Sequence, residues 1–212
     1  MEMIDNIQMG LFIVFEGTEG SGKSTQSRSL KKRLLKERCP VILTYEPGGT
    51  KLGRRVRHWL KWDKGFAPQT ELFELFLFLA ARAELVKEVI LPTLEKGIVV
   101  ICDRYAASTA AYQGYGRGVD LSLIKTLNVI ATRGLSPNLV VLLDMDVEKG
   151  IARKGVKRDR FEQEEIAFHH KVRQGYLKMA AAEPKKWLVI DADLPKLEIQ
   201  ELIWERVQQH LG

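Results

Sequence analysis

The sequence predicts an α/β fold in which helices flank both faces of a central parallel five-stranded sheet. Along the 212 residues, five apolar runs rich in β-branched residues recur, and stretches with a helical pattern separate them. Strands that alternate with helices form parallel sheets whose ligand sites lie at the carboxyl ends of the strands. The five runs cover residues 11–15, 41–45, 98–102, 139–143 and 187–190.

A glycine-rich loop follows the first run. Residues 17–24 read GTEGSGKS and match the pattern G-x-x-x-x-G-K-[ST], ahead of a helix-like stretch at residues 23–37. In such a P-loop, backbone N–H groups surround the phosphates of a nucleotide, Lys23 reaches the β and γ oxygens, and the Ser24 hydroxyl holds Mg²⁺. The motif in this position predicts a three-layer sandwich of the P-loop NTPase type. A coincidental glycine turn is the alternative.

Length and composition favour one domain over residues 1–212. A hydrophobic content of 45% and a charged content of 28% are ordinary for a globular protein, and no apolar run approaches the roughly 20 residues that span a bilayer. Residues 1–9, which we predict to be an N-terminal tail, lack the basic start and apolar centre of a secretory signal. We therefore expect a cytoplasmic protein with no membrane partner.

The net charge of +6 suits either nucleic acid or the phosphates of small nucleotides as a partner. The basic residues recur in segments 51–64 and 153–160 and as single arginines in apolar contexts, instead of forming one stripe. This distribution favours discrete phosphate contacts, and we expect no nucleic-acid partner. The two cysteines, Cys39 and Cys102, are predicted to be unpaired thiols, and the four histidines to be surface residues because none has metal-ligand spacing.

Polar residues follow the next three strand-like runs. Residues 46–50 read EPGGT, Asp103 and Arg104 follow the third run, and Asp144 ends the fourth. Because the carboxyl ends of parallel strands meet at one edge, we expect these residues near the P-loop. Asp103 is suited to order Mg²⁺ or its waters and Arg104 to hold a phosphate, whereas an internal Asp–Arg pair is the alternative.

A long helical pattern occupies residues 68–94. Its segment 71–82, ELFELFLFLAAR, is apolar nearly all round and is predicted to be buried. Phe78 and Arg82 lie four residues apart on one helical face, so they can offer a ring for stacking and a planar set of donors to a base or carboxylate. A core phenylalanine beside a structural salt bridge is the alternative for the same pair.

Two further segments have residues suited to binding. Residues 108–118 begin with small and hydroxyl side chains, contain Tyr112 and Gln113, and end in a glycine-rich turn. Residues 149–162 are too charged for a core and predict a mobile lid, because arginines that close over a transferred phosphoryl group stabilise its transition state. A solvated loop is the alternative for this lid.

Taken in order, these motifs resemble the bacterial thymidylate kinases. The resemblance is carried by FEGTEGSGKST at 15–25, YEPGGT at 45–50, FLAAR at 78–82, DRY at 103–105, AYQG at 111–114 and DRFE at 159–162, and it runs from about residue 11 to 190. It implies in-line transfer of a phosphoryl group from ATP to dTMP with Mg²⁺, in a homodimer. Because the P-loop contains no arginine, the resemblance implies that the catalytic arginine comes from the lid.

The resemblance also assigns roles to individual residues. It implies that Glu19 meets the sugar 3′-hydroxyl, that Phe78 stacks on thymine and that Tyr112 crowds out a ribose 2′-hydroxyl. The residues it implies in catalysis are Lys23, Arg104, Arg158 and Arg160. The ATP site it implies comprises Gly17, Thr18, Glu19, Gly20, Ser21, Gly22, Lys23, Ser24 and Thr25, with Ser24 and Asp103 at the metal. The dTMP site it implies comprises Glu19, Glu46, Arg57, Phe78, Arg82, Arg104, Thr109, Tyr112 and Gln113.

Two positions depart from the family pattern. Tyr45 stands where the family usually has arginine, and Gly150 stands where it usually has a good helix former, which predicts a shorter or looser helix there. Other functions remain open at this point: a kinase for another nucleotide, a GTPase-type switch, which the missing Asn-Lys-x-Asp motif disfavours, and a nucleotide-binding protein without catalysis.

Overall fold

Five parallel strands form the central sheet of the computed structural model, which describes residues 9–63, 65, 70–154 and 159–211. The strand order is β2-β3-β1-β4-β5, so the first strand lies in the middle of the sheet. The predicted parallel five-stranded sheet is confirmed, and each strand lies within a residue of its predicted bounds. The strands are β1 (Phe12–Glu16), β2 (Val41–Tyr45), β3 (Val99–Asp103), β4 (Leu139–Asp144) and β5 (Trp187–Asp191).

The strand register brings the polar strand exits together. Phe15 at the end of β1 lies opposite Asp103 at the end of β3, and Asp103 in turn lies opposite Tyr45 of β2. Glu16, the last residue of β1, pairs with Leu142 of β4. The loops that follow β1, β2 and β3 therefore leave the same edge of the sheet.

Helices cover both faces of this sheet. Among the described helices, four begin with a side-chain cap, in which Thr50, Thr70, Asp120 and Asp146 accept hydrogen bonds from backbone N–H groups three residues further on. Two π-helical segments, Val86–Ile90 and Ala110–Gly116, interrupt the α-helical ones. The helices are α1 (Lys23–Lys36), α2 (Lys51–Lys61), α3 (Glu71–Leu85), α4 (Leu91–Leu94), α5 (Ala106–Thr109), α6 (Leu121–Thr132), α7 (Val147–Lys154), α8 (Ile166–Ala182) and α9 (Lys196–Leu211).

Alternate residues of the central strands pack into two apolar cores. On one face, Ile13 of β1 packs in a cluster with Leu34 of α1 and Val207 of α9. On the other face, Val14 packs with Val86 beyond α3, and Val140 of β4 packs with the residues of α8. This arrangement of helices, sheet and helices is the predicted three-layer sandwich, and it fixes the carboxyl edge of the sheet as the open edge.

The predicted burial of segment 71–82 on all sides is wrong. Leu72, Phe73 and Phe76 of α3 are 44%, 45% and 53% exposed, because no described part of the same chain covers this face. The predicted helical pattern over residues 68–94 is present as one continuous helical run from Glu71 to Leu94, in which α3 passes through the π-helical turn Val86–Ile90 into α4. Position 68 lies outside the described residues.

The histidine prediction is wrong for one residue, whereas the thiol prediction is confirmed. His169 is only 1% exposed because α8 turns it inward beside Phe168, and the centres of the two rings lie 5.5 Å apart in an edge-to-face arrangement. Cys39 and Cys102 are both free thiols. Of the helices that the structure describes, none combines the length and the apolar character needed to cross a membrane.

Candidate functional site

The P-loop leaves the centre of the sheet and leads directly into α1. Gly17, its first residue, has φ of 139°, and a Cβ at that position would lie 2.4 Å from the backbone oxygen of Leu143. Gly22 has φ of 89° and precedes the first residue of α1, Lys23. The glycine pattern thus permits a backbone turn that side chains would oppose, and the N-terminus of α1 is directed at the open edge of the sheet.

Lys23 is a buried cation at the base of this loop. Its ammonium donates hydrogen bonds to the backbone oxygen of Thr18 at 2.7 Å and to Ser21 Oγ at 3.3 Å. Burial, reinforced by the nearby Arg104 guanidinium, lowers the pKa of Lys23 to about 8. Because burial disfavours the charged form of Lys23, a nearby anion would stabilise that form strongly. This position is therefore suited to bind phosphate.

Two oxygen side chains meet beside Lys23. Ser24 Oγ, in the first turn of α1, donates to Asp103 Oδ2 at 2.5 Å. Across the described ranges there is no group of three or more His, Cys, Asp or Glu residues that could hold a metal ion. Mg²⁺ commonly takes one or two protein oxygens and completes its shell with substrate phosphates and water, so Ser24 and Asp103 fit this ion.

Arg104 occupies the centre of the site in a left-handed backbone conformation, with φ of 74°. Its guanidinium donates to Glu19 Oε1 at 2.8 Å and to the backbone oxygen of Gly17 at 3.1 Å. Tyr112 Oη also donates to Glu19 Oε1, at 2.8 Å, and the Arg104 guanidinium lies 5.1 Å from the centre of the Tyr112 ring. Arg104 is thereby held rigidly next to the P-loop.

A buried carboxylate, that of Glu16, is linked to Arg104 through a shared hydroxyl group, and the sequence analysis did not identify it. Glu16 is fully buried and accepts hydrogen bonds from Tyr105 N at 2.9 Å, Ser108 Oγ at 2.7 Å and Tyr176 Oη at 2.9 Å. Tyr176 Oη lies 3.2 Å from Arg104 Nη1, so one hydroxyl joins both groups. Burial raises the pKa of Glu16. The feature of the sequence that could have identified Glu16 is its position as a carboxylate at the end of a buried strand.

A cavity, which we call the Phe78 cavity, opens next to Arg104. Its walls combine aromatic rings with polar side chains, and the ring of Phe78 lies 5.8 Å from that of Phe161. This composition suits a flat ring with polar edges. The lining residues are Glu19, Glu46, Pro47, Lys61, Phe78, Arg82, Arg104, Ser108, Thr109, Tyr112, Gln113 and Phe161.

Arg82 is 2% exposed and is held by several protein groups. It donates to Glu46 Oε2 at 2.8 Å, to Thr109 Oγ1 at 2.8 Å and to the backbone oxygen of Tyr105 at 3.1 Å. Burial, opposed by Arg82, raises the pKa of Glu46 to about 7. The salt bridge that the sequence offered as an alternative is therefore present, although Arg82 also lines the cavity.

A second, open depression, the P-loop groove, extends from the P-loop towards α2. Its lining includes Lys23, Ser24 and Asp103 at one end and Arg57 and Lys61 at the other. Arg57 donates to the backbone oxygen of Pro47 at 3.3 Å, and its guanidinium lies 5.5 Å from the ring centre of Tyr45. The residue that departs from the family pattern thus packs against Arg57. Glu19, Glu46, Lys61 and Arg104 line both the groove and the cavity.

The structure places the predicted lid arginines differently from the other site residues. Arg160 donates to the backbone oxygen of Leu60 at 3.0 Å and pairs with Glu74 at 2.5 Å, and it lines neither the groove nor the cavity. Arg158 lies outside the described residues, as do positions 155–157 of the predicted lid. Residues 149–154 belong to α7.

Most residues predicted for the site are brought together. Lys23, Ser24, Asp103 and Arg57 line the groove, while the predicted base-contacting residues Phe78, Arg82, Thr109, Tyr112 and Gln113 line the cavity. Lys61, which the sequence analysis did not single out, contacts Asp159 at 2.5 Å and lines both depressions. Its partner Asp159 lies 98 positions away in the chain, so no local sequence pattern indicates this contact.

A P-loop at the centre of a parallel sheet, with an adjoining aromatic cavity, defines a P-loop nucleotide-binding protein. Residues 15–203 match the family model described as thymidylate kinase, and the chain belongs to this family. It is 49% identical to the thymidylate kinase of Dehalococcoides mccartyi over 96% of this chain and 98% of that protein. It is 46% identical to the thymidylate kinase of Deinococcus radiodurans, over 96% of this chain and 98% of that protein. The crystal structure of thymidylate kinase from Ehrlichia chaffeensis superposes with a TM-score of 0.76 at 34% identity, covering 94% of this chain and 99% of that one.

Proposed function

We propose that this protein phosphorylates dTMP to dTDP, with ATP as the phosphoryl donor. The observation that carries the proposal is the junction of the two depressions at Glu19 and Arg104, which line both of them. A donor in the P-loop groove and an acceptor in the Phe78 cavity would meet at this junction. Membership of the thymidylate kinase family supports the choice of substrates.

Residues 17–25 would bind the phosphates of ATP. The backbone N–H groups at the start of α1 and the Lys23 ammonium would face the β and γ oxygens, where they balance negative charge. Ser24 and Asp103 would hold Mg²⁺, which would supply positive charge that reduces the repulsion between the phosphates. In this role Lys23 acts through the positive charge of its protonated form and transfers no proton to either substrate.

The acceptor phosphate of dTMP is an anionic nucleophile, so the protein needs no covalent intermediate. Arg104 and Arg57 would hold this phosphate in line with the γ-phosphate of ATP, and their positive charge would screen the repulsion between the two anions. The short contacts from Arg104 to Glu19 and Gly17 preorganise its guanidinium for this task.

The Phe78 cavity would hold the nucleoside. The ring of Phe78 would stack on thymine, and Arg82, Thr109 and Gln113 would contact the polar edge of the base. Glu46 would support this side through its ion pair with Arg82 at 2.7 Å. Glu19 would accept a hydrogen bond from the sugar 3′-hydroxyl, and Tyr112, which already contacts Glu19, would occupy the space of a ribose 2′-hydroxyl.

The segment 149–162 would act as a lid over the transferred group, with Arg158 and Arg160 as its catalytic arginines. In the described conformation Arg160 is bound to Glu74 and Leu60. It would have to release both partners to reach a phosphate, as expected for a lid that closes on its substrates.

We further propose a single-domain, cytoplasmic homodimer over residues 1–212. Apolar side chains that are at least 37% exposed recur on α2, α3 and α6, and α3 packs between the other two helices. A second copy of the chain would cover this surface and remove its apolar area from water. The exposed residues are Leu52, Trp59, Leu72, Phe73, Phe76, Leu121, Leu123, Val129 and Ile130.

The experiment that tests the activity measures coupled ADP release with ATP and Mg²⁺. We expect strong preference for dTMP when dTMP, dUMP, ribose TMP, dCMP, dGMP and UMP are compared as acceptors. Lys23→Ala is the negative control and should lower turnover by about 10²-fold or more, because a preorganised electrostatic contact is lost. Preference for another acceptor would assign the protein to a kinase for that nucleotide, and near-normal turnover of Lys23→Ala would contradict the P-loop role.

A further inference from the structure

Glu74 determines which end of the Gln113 side-chain amide faces the Phe78 cavity. Glu74 and Gln113 are 2% and 1% exposed, and Gln113 Nε2 donates to Glu74 Oε1 at 2.8 Å. An ionised carboxylate accepts hydrogen bonds but has none to donate. The amide nitrogen of Gln113 must therefore lie on the Glu74 side, and rotation of the amide by half a turn would place two buried acceptors against each other.

The carboxylate is held in place by positive charge on its other side. Arg160 Nη2 pairs with Glu74 Oε2 at 2.5 Å, and Arg117 Nε lies 3.6 Å from Oε1. Arg117 is itself bound to Glu164 at 2.6 Å. In the described conformation these contacts compensate the buried charge of Glu74 and leave Oε1 with a lone pair for Gln113. If Arg160 moves to a phosphate as proposed above, Arg117 is the cation that stays beside Oε1.

The opposite end of the amide is available to a ligand. Gln113 lines the Phe78 cavity, and in the described ranges no hydrogen bond reaches its Oε1 atom. Thr109 Oγ1, on the same wall, accepts from Arg82 at 2.8 Å, so its O–H hydrogen is free to donate. These two side chains thus offer the cavity one acceptor, Gln113 Oε1, and one donor, the Thr109 hydroxyl, beside Arg82.

We propose that Glu74 is a positioning residue that sets base selectivity through Gln113. A Gln113 oxygen directed into the cavity favours a pyrimidine with an N–H group at ring position 3, as in thymine. It disfavours cytosine, whose ring nitrogen is an acceptor and would face that oxygen unpaired. The proposal rests on the proposed function, since it concerns the acceptor base of the same reaction.

The test compares Glu74→Gln with the wild-type enzyme on dTMP and dCMP. A glutamine at position 74 can donate or accept, so the amide of Gln113 is no longer fixed in one orientation. We expect kcat/KM for dTMP to fall about tenfold, mainly because KM rises, whereas kcat/KM for dCMP should not fall. A change of this size is expected when one oriented, buried hydrogen bond is lost. The ratio of kcat/KM for dTMP to kcat/KM for dCMP would fall by the same factor. An unchanged ratio would overturn the proposal.

A matched control is Glu164→Gln, which neutralises the other carboxylate bound to Arg117 and has no contact with Gln113 among the hydrogen bonds described. Its dTMP to dCMP ratio should equal that of the wild type. A fall as large as that of Glu74→Gln would show that general loss of charge near Arg117, and not orientation of Gln113, controls selectivity.

A double-mutant cycle separates Gln113 from Arg160, since Glu74 contacts both. In a Gln113→Ala background, Glu74→Gln should no longer change the dTMP to dCMP ratio, because there is no amide left to orient. A change as large as in the wild-type background would assign the effect to release of Arg160 and overturn the proposal.

A measurement on the wild-type protein covers the case in which Glu74→Gln does not fold. The Gln113 side-chain N–H₂ resonance should be protected from hydrogen exchange with and without dTMP, since the amide nitrogen faces buried Glu74 in both states. Exchange as fast as that of an exposed glutamine would overturn the orientation. Failure of the proposed function is distinguishable, because wild-type enzyme would then not phosphorylate dTMP at all.

Discussion

Gly150 in α7 packs directly against the P-loop, so that a Cβ at this position would lie 2.4 Å from the backbone oxygen of Glu19. The contact is reciprocal, since a Cβ on Gly20 would lie 2.1 Å from the backbone oxygen of Gly150. Distances this short exclude any side chain larger than hydrogen unless the backbone moves. The contact gives a physical reason for glycine at a helical position where the family usually has a good helix former.

Gly150→Ala should therefore impair ATP binding although alanine favours a helix. Helix propensity alone would stabilise α7 by about 1 kcal/mol. The added methyl group would instead displace the Glu19 carbonyl and with it the P-loop, and we expect KM for ATP to rise about tenfold, as for a small misplacement of a binding loop. Glu148→Ala, an exposed change on the same helix, is the control. An unchanged KM together with a higher melting temperature would contradict this account.

The pKa of Lys23 predicts how ATP binding depends on pH. Because burial lowers this pKa to about 8, the free enzyme loses the positive charge above that pH, well below the usual range of lysine. ATP favours the charged form, so binding above pH 8 must be accompanied by proton uptake and should weaken by up to about tenfold per pH unit. Calorimetric dissociation constants between pH 6.5 and 9.5 measure this effect.

Lys23→Arg is the control for that titration, since arginine keeps its charge throughout the range. Whatever its absolute affinity, the dissociation constant of this variant should lack the inflection near pH 8. A wild-type affinity for ATP that is constant up to pH 9.5 would show that Lys23 keeps its proton in the free enzyme.

Removal of the Tyr176 hydroxyl should weaken the binding of dTMP and leave the binding of ATP unchanged. This hydroxyl donates to Glu16 and lies within hydrogen-bond distance of Arg104, so Tyr176→Phe would remove one donor from a buried carboxylate and one neighbour from the arginine. We expect KM for dTMP to rise several-fold with KM for ATP unchanged, and the free energy of unfolding to fall by about 1–3 kcal/mol. Equal changes in both KM values would indicate a general loss of structure instead.

The sheet and the P-loop could be predicted because their signals are local. Five apolar runs of β-branched residues identify the strands, and the eight residues from Gly17 to Ser24 identify the loop without any knowledge of distant contacts. The placement of Asp103 next to Ser24 followed from topology, since parallel strands bring their carboxyl ends to one edge.

The partners of the buried charges could not be predicted, because they come from distant parts of the chain. Glu16 accepts from Tyr176, 160 positions away, and Arg160 pairs with Glu74, 86 positions away. The inward position of His169 likewise depends on how α8 is rotated against its neighbours. A helical pattern shows which residues share a face, but it does not show what covers that face, and so α3 was expected to be buried on all sides.

The exposed face of α3 leads to a prediction about assembly. Phe76 is 53% exposed within one chain, so its replacement by a charge should cost little in an isolated copy but should oppose burial against a second copy. We expect the wild-type protein to sediment as a dimer at micromolar concentration and Phe76→Glu to sediment as a monomer. Leu197→Glu on α9 is the control, because Leu197 is 73% exposed on a helix that packs against α1 and β5. A wild-type monomer, or a dimer that Phe76→Glu leaves intact, would exclude this face as the interface.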